Sequence, residues 1–273
     1  MSASQTPAAS TAGHTADART TTRVIKLGGR AQGHAALPGL LRDAAAAAPL
    51  VVVHGGGDEV TALQRQMGVE PVFVHGRRVT RAEDLDAVRM ILSGTVNKRL
   101  VAQGLTAGLR AVGVSGEDAG LLTARVTDPT YGRVGREVQA DVALLRDLLT
   151  AGWTPYVSPL ARDRESPTGD GINVNGDDAA AAIAESLGAD ELLFVSDVPG
   201  VLEDGAAIPQ LDRAGVADLV ARGVAQGGMR AKLEAALVTL AAGVRRVRIA
   251  TLDGIADPGA GTTISLSAVR SAL

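Results

Sequence analysis

The chain has 273 residues, 46% of them hydrophobic and 21% charged, enough apolar material for one large core and too little charge for a disordered polyelectrolyte. Lys+Arg 27 against Asp+Glu 30 leaves a net charge of −3, so no global basic field points to nucleic acid. The absence of cysteine excludes a disulfide scaffold, a thiolate zinc site and a thiol nucleophile, and 2% aromatic residues leave too few rings for base stacking.

No apolar run is long enough to cross a bilayer, so no membrane association is expected and a cytoplasmic location is. Residues 1–22 are rich in Ala, Ser and Thr, carry Asp17 as their only acid and lack an apolar core. They read as a disordered leader, and order is expected from Arg23 onward.

Val24-Ile25 open a β-branched run that stops at Gly28-Gly29, and an Ala-rich helical stretch follows over residues 40–48. A second apolar run, Leu50-Val51-Val52-Val53, ends at His54-Gly55-Gly56-Gly57. Val60, Leu63 and Met67 then share one face of a helix that Gly68 stops. Strand, helix, strand, glycine loop and helix predict a parallel sheet covered on its faces. Residues 72–74 and 78–80, around Gly76, predict a hairpin outside that sheet. Thr80 and Glu83 fit a capping box, opening a helix whose stripe is Leu85, Val88, Leu92, Val96 and Leu100 and whose end is near Gly104.

Short strands are expected at residues 111–114, 121–126 and 132–138, a helix at 144–149 and a strand at 153–157. Asp177 or Asp178 should cap an Ala-rich helix that ends at Gly188. A buried strand at 192–195, helices at 216–221 and 229–242, and strands at 244–250 and 262–266 complete the chain. The polar stretch 162–171 reads as a loop between lobes. The fold class is therefore α/β: a three-layer, open, mainly parallel sheet with helices on both faces, divided into lobes at 23–160 and 161–273.

Two glycine loops, Lys26-Leu27-Gly28-Gly29 and His54-Gly55-Gly56-Gly57, end neighbouring predicted strands, where open α/β sheets bind ligands. Glycine lets backbone amides approach an anion, and the following helix N-terminus favours negative charge. The spacing matches neither a P-loop nor a dinucleotide fingerprint. His54 reads as a hydrogen-bonded structural residue, and four histidines in all give no metal-ligand spacing. Asn173 and Asn175 fall on one side of an extended segment that leads into Asp177-Asp178. Lys232 follows Gly227-Gly228 in what reads as the first turn of a helix, where a cation opposes the helix dipole.

The segments VIKLGG (24–29), VVVHGGG (51–57), HGRRVT (75–80), SGTVNKRLV (93–101), AVGVSGEDAGLL (111–122), INVNGDDAA (172–180), SDVPGVL (196–202) and GGMRAK (227–232) occur in this order. Together they resemble the amino acid kinase family, and within it the branch acting on N-acetylglutamate. The resemblance covers nearly all of the chain after the leader. It implies transfer of a phosphoryl group from ATP, with Mg²⁺ held mainly by the nucleotide phosphates, to the side-chain carboxylate of N-acetyl-L-glutamate in arginine biosynthesis. By the same resemblance Lys26, Lys232 and Gly29 act on the phosphoryl group, and Asp177 holds the two amines. Gly56, Gly57, Arg78, Asn173 and Asn175 would bind the small-molecule substrate. Asp197, Val198, Pro199, Gly200, Val201 and Leu202, with Val224, Ala225 and Gln226, would line the nucleotide site, and no protein metal ligand is implied.

Arginine-inhibited members carry an N-terminal amphipathic helix and a fuller segment before the last Gly-x-Gly-Thr. This leader lacks the apolar stripe and 257–262 is abbreviated, so a homodimer is expected, with the helix at 83–102 in its interface. The rival reading is a kinase of carrier-bound aminoadipate in lysine biosynthesis, for which Arg77, Arg78, Arg81 and Arg230 would dock an acidic carrier protein. A catalytically silent regulatory or binding protein on the same fold is the alternative of another class.

Overall fold

The computed structural model describes residues 21–74 and 77–266. Residues 1–20 of the expected leader, and the hairpin tip at His75-Gly76, lie outside the described residues.

β1 (Arg23–Leu27) and β2 (Leu50–His54) run side by side and parallel, Ile25 level with Val52. Strand periodicity sends their side chains alternately to two faces, and both faces are covered. Val24, Val51 and Val53 enter one apolar core, while Ile25, Leu27, Leu50 and Val52 enter the other. The second core is closed by α1 (Leu37–Ala47), through Leu37, Leu41 and Ala44. α2 (Gly57–Gln66) leaves directly from the glycine loop after β2.

β3 (Phe73–Val74) and β4 (Arg77–Arg78) form the expected hairpin, an antiparallel ribbon set one residue earlier on its second arm. Thr80 does not cap the next helix. Its backbone is bonded to Tyr131 and Arg133 and its side chain is buried, so the cap moves on to Arg81. There Asp84 Oδ2 accepts from the Arg81 amide at 3.2 Å. The helix runs through α3 (Leu85–Arg89), a wider π-type stretch at Met90–Val96 and α4 (Asn97–Thr106), past the expected stop at Gly104. Leu85, Val88, Leu92, Val96 and Leu100 are all buried, as their spacing requires.

β5 (Ala111–Ser115) and β8 (Thr154–Ser158) extend the sheet beyond β2, with α5 (Ala143–Thr150) before β8. The strands expected at 121–126 and 132–138 do not join it. β6 (Leu122–Arg125) and β7 (Val134–Ala140) close with β9 (Leu160–Asp163) and β10 (Gly171–Val174) into a separate four-stranded sheet. The stretch expected as a loop at 162–171 thus begins and ends in strands, and its middle is the turn joining antiparallel β9 and β10.

α6 (Gly176–Leu187) ends, as expected, at Gly188 in the left-handed conformation that favours glycine. Its cap is Asn175 rather than an aspartate: Asn175 Oδ1 accepts from the Asp177 amide at 2.7 Å. β11 (Glu191–Val195) lies on the other side of β1, every residue buried. β12 (Leu202–Glu203), β13 (Ala206–Ala207), β14 (Gln210–Leu211), α7 (Arg213–Ala221), α8 (Gly227–Ala241), β15 (Arg246–Ala250) and β16 (Thr262–Ile264) follow. α7 starts before residue 216 because Asp212 caps it, its Oδ1 accepting from the Gly215 amide. The central sheet has eight strands in the order β14-β16-β15-β11-β1-β2-β8-β5, parallel except where β15 meets β16. β1 and its neighbours sit in the middle, so their carboxyl ends open at the centre of one sheet edge.

One buried network was not legible from the sequence. Arg248 is fully enclosed, and its Nε donates to Glu191 Oε1 at 2.7 Å while Nη1 and Nη2 donate to carbonyls of Asp257, Ala260 and Gly254. Arg23 donates to the other oxygen of Glu191 at 2.8 Å. Burial raises the Glu191 carboxyl, but Arg248 and the neighbouring arginines outweigh it and hold the group below its ordinary value. A depressed carboxylate stabilises the fold above its unfolded value and loses that contribution as pH falls through the folded one. Arg248→Ala leaves Glu191 buried with a partner removed and should cost about 3–5 kcal/mol in urea denaturation. A loss near zero would refute the network's place in the fold.

Candidate active site

Lys26 is on the Val24 face of β1, the side against which α6 and α8 pack. Its Nζ forms an ion pair with Asp177 Oδ1 at 2.8 Å. Lys232 Nζ donates to Asp177 Oδ2 at 2.9 Å. One buried carboxylate therefore carries two ammonium groups, contributed by β1 and by the second turn of α8. The expected first-turn position of Lys232 is shifted because α8 begins at Gly227. Burial raises the Asp177 carboxyl, yet Lys26 and Lys232 together outweigh it and keep it below the usual carboxylate range. The carboxylate is thus ionised at neutral pH and fully engaged.

Two local features allow this approach. A Cβ on Gly176 would stand 3.3 Å from Lys26 Cε, so the bare backbone gives the lysine room. Asn175 fixes the first turn of α6 and so aims Asp177 at the sheet, whereas Asp178 turns toward Arg77, whose Nη1 is 3.6 Å from its Oδ2. The two neighbouring aspartates have separate partners.

Beside this triad is a cavity of about 210 Å³ whose walls include Gly56, Gly57, Arg78, Asn173, Asn175 and Gly176. Gly57 opens α2, whose first amides lack partners within the helix and suit an anion. A Cβ on Gly56 would come within 2.8 Å of Leu92, so only glycine lets the loop pass. Arg78 donates to Gln64 Oε1, to Gly57 O at 2.7 Å and to Thr61 Oγ1 at 2.7 Å, and its guanidinium stacks 4.7 Å from the Phe73 ring centroid. These bonds occupy both Nη2 hydrogens. Of five guanidinium donors, Nε and one Nη1 hydrogen remain for a ligand, so a carboxylate meets single bonds and full charge rather than a two-pronged fork. Asn173 Nδ2 donates to Thr80 Oγ1 at 3.1 Å, which orients its amide in the cavity wall. Gln64, Thr61 and Thr80 were missed from the sequence; Thr61 and Gln64 do share a helix face three residues apart.

His54 is fully buried on the other face of β2. Burial pushes its imidazole down to about 4, so it is neutral at physiological pH. The network assigns the Nδ1 hydrogen to the Gly55 carbonyl at 2.9 Å, with Nε2 accepting from Asn97 Nδ2 at 3.0 Å. Gln32 Nε2 donates to the same Gly55 carbonyl at 3.1 Å. The histidine is structural, as expected.

The remaining expected residues are more dispersed. Gly29 heads a short turn after β1, while the Gly28 amide donates to Val195 O. Asp197 and Pro199 are exposed and Val198 half-exposed, and Arg30 lies 3.6 Å from Asp197. Gly200 is wedged against Thr262, whose hydroxyl accepts from the Val201 amide at 2.8 Å. Val201 and Ala225 are buried, and their backbones are bonded within the chain, Val201 to Thr262 and Ile208 and Ala225 to Leu219, while Leu202 is half-buried and Val224 and Gln226 are exposed. The four arginines expected as a docking patch each meet partners in their own chain: Arg77 with Asp178, Arg78 with α2, Arg81 with Asp84, and Arg230 with Glu234. Among the described residues, no three His, Asp or Glu side chains cluster to hold a metal ion. No helix of the described residues is long and apolar enough to cross a membrane.

A family model described as the amino acid kinase family matches residues 21–251. The chain belongs to the amino acid kinase family. An acetylglutamate kinase of Chloroflexus aggregans is 46% identical over 214 residues, covering 77% of this chain and 84% of that protein. One of Roseiflexus castenholzii is 43% identical over 248 residues, 88% of this chain and 93% of its own. Among solved structures, smu.665 from Streptococcus mutans has a TM-score of 0.80 at 30% identity, over 90% of this chain and 99% of that one. Carbamate kinase from Giardia lamblia bound to AMP-PNP has a TM-score of 0.68 at 18% identity, over 91% and 99% of the two chains, and shows the fold alone.

The triad carries a direct test. Asp177→Asn keeps the shape but removes the charge that gathers the lysines, and kcat should fall by about 10²- to 10³-fold in steady-state assays. Retention of most of the parent kcat would exclude Asp177 from the machinery.

Proposed function

We propose that the protein transfers the γ-phosphoryl group of ATP to the side-chain carboxylate of N-acetyl-L-glutamate, giving N-acetyl-L-glutamyl 5-phosphate and ADP, in arginine biosynthesis. The observation that carries this reading is the buried Asp177 joining Lys26 to Lys232 beside a cavity that offers Arg78 and Asn173. Relatives named acetylglutamate kinase, matching over most of the chain, support the choice of acceptor.

The chemistry suits this set of groups. The acceptor is already an anion, so an oxygen of its carboxylate bonds to the γ-phosphorus without a base, and the bond to the β–γ bridging oxygen breaks as ADP leaves. What remains is alignment and charge. Lys26 and Lys232 stand where charge spreads over the transferring oxygens, and Gly29, Gly56 and Gly57 add backbone amides. Arg78 takes the α-carboxylate and Asn173 the amide, with Asn175 fixing the helix start. Segments 197–202 and 224–226 receive the nucleotide. Asp177 is engaged by the two lysines, so the nucleotide phosphates would hold Mg²⁺, which would supply charge neutralisation there. In this reading residues 23–160 provide most of the acceptor site and 161–273 the nucleotide site.

We also infer a cytoplasmic homodimer. β5 is an edge of the central sheet, and Met90 and Leu105 on the neighbouring long helix are more than half exposed, at 58% and 54%. The arginines that would dock a carrier are engaged internally, which weighs against the aminoadipate reading.

Hydroxylamine trapping of the acyl phosphate from MgATP should show turnover of N-acetylglutamate and none of free aminoadipate, with activity lost in Lys232→Ala. Silence with N-acetylglutamate, but turnover of carrier-bound aminoadipate, would move the assignment to the rival kinase. Arg78→Lys cannot reproduce the bonds to Gln64, Gly57 and Thr61, and should raise the KM for N-acetylglutamate by about 10- to 100-fold, leaving the KM for ATP near the parent value.

A further inference from the structure

Arg77 has no part in the scheme above, yet it occupies a singular place. Alternation along β4 sends Arg78 toward α2 and Arg77 the other way, toward α6 and β7. Arg77 borders three hollows: the acceptor cavity of about 210 Å³, a hollow of about 200 Å³ reaching Tyr131 and Arg136, and one of about 330 Å³ between β7, α6 and α8. Val134 is the second residue shared by the acceptor cavity and the Tyr131 hollow. The Arg77 side chain is therefore the partition between the cavity and the space outside it. Asp178 fixes that partition: its Oδ2 is 3.6 Å from Arg77 Nη1, and both side chains are mostly covered, at 28% and 21% exposure.

The stereochemistry of the acceptor, taken from the function proposed above, decides what this wall would touch. Its α-carbon carries three substituents besides hydrogen. The side-chain carboxylate extends to Lys26 and Lys232, and the α-carboxylate meets Arg78 on the α2 wall. The acylated nitrogen is left for the remaining wall, between Asn173 and the side formed by Arg77 and Val134. We propose that Arg77, anchored by Asp178, is a specificity-determining residue that limits the size of the N-acyl group the acceptor can carry. An acetyl group fits inside the partition; a longer acyl chain would have to displace the guanidinium from Asp178 and enter the neighbouring hollow.

The test compares kcat/KM for N-acetyl-, N-propionyl-, N-butyryl- and N-benzoylglutamate in the parent and in Arg77→Ala, Arg77→Lys and Asp178→Asn, with a melting curve for each. The parent should lose activity steeply with acyl length. In Arg77→Ala the ratio of N-butyryl to N-acetyl turnover should rise by about 10-fold or more, the scale on which a pocket wall discriminates methylenes. Asp178→Asn should move the ratio the same way by less, and Arg77→Lys should keep it near the parent. If Arg77→Ala lowers turnover of every acyl length equally, or leaves the ratio unchanged while folded, the inference is overturned and the function stands. Should Arg77→Ala not fold, an unchanged ratio in Asp178→Asn overturns the inference instead. A folded parent that turns over no N-acylglutamate would sink the functional reading itself, a distinguishable result.

Discussion

Two ammonium groups at the edge of a parallel sheet are the constraint around which this molecule is arranged. Like charges about 4 Å apart in a partly buried setting repel by about 4 kcal/mol, so they do not gather unaided. Asp177 offsets that repulsion from a buried position, with one oxygen toward Lys26 and the other toward Lys232. Each arm of the arrangement comes from a different part of the chain. β1 presents Lys26 on the face shared with Val24, α6 presents Asp177 in its first turn, and α8 brings Lys232 around one turn later. The helices can come close because their facing surfaces are built largely of alanine, including Ala180, Ala184, Ala235 and Ala236.

The second wall of the site is set by the opposite requirement, a backbone that must stay open. The loop after β2 passes beneath Leu92 and Val96 where no Cβ fits, and the Gly55 carbonyl is turned inward by His54 and Gln32. A neutral imidazole matters here. A charged His54 would bring a third buried cation near the site and would lose the acceptor nitrogen that Asn97 uses. Burial settles the protonation state, so the histidine serves the loop's geometry rather than proton transfer. Catalysis by charge and alignment needs no base, and the buried His54 is used accordingly.

The sequence made the strand ends legible because their cause is local. Val51-Val52-Val53, β-branched and running up to glycines, suits a strand buried on both faces, and glycines suit the place where the chain turns over the sheet edge. Lys26 stood out for the same reason, a lysine near the end of a buried strand, just ahead of the glycine loop. The residue pattern did not separate the two aspartates, which only the resemblance told apart: Asp177 and Asp178 differ by one residue, and the angular step of a helix, fixed by the Asn175 cap, sends one to the lysines and the other to Arg77. Contacts that join distant parts of the chain were invisible. His54 with Asn97, Thr80 with Asn173 and Glu191 with Arg248 are 43, 93 and 57 residues apart, and no periodicity marks them. The four-stranded sheet of β6, β7, β9 and β10 was missed as a unit because its register depends on partners outside any local window, β6 with β9 and β7 with β10.

Stability and function are placed at opposite ends of the same strands. Glu191 and Arg23 are the first residues of β11 and β1, and with Arg248 they form a network whose buried charges are closely partnered. At the carboxyl ends of those strands two lysines share one engaged carboxylate, Asp177, a local excess that an anionic ligand of the proposed reaction would balance. A site that attracts a triphosphate and a carboxylate together must carry surplus positive charge when empty. That surplus is tolerable only where the surrounding backbone is held by other interactions. The double-faced apolar strands and the Glu191 network supply that hold. Arg77 fits the same logic: its charge is cancelled by Asp178, so it can form part of the cavity wall without adding to the surplus, and what it contributes to recognition is shape.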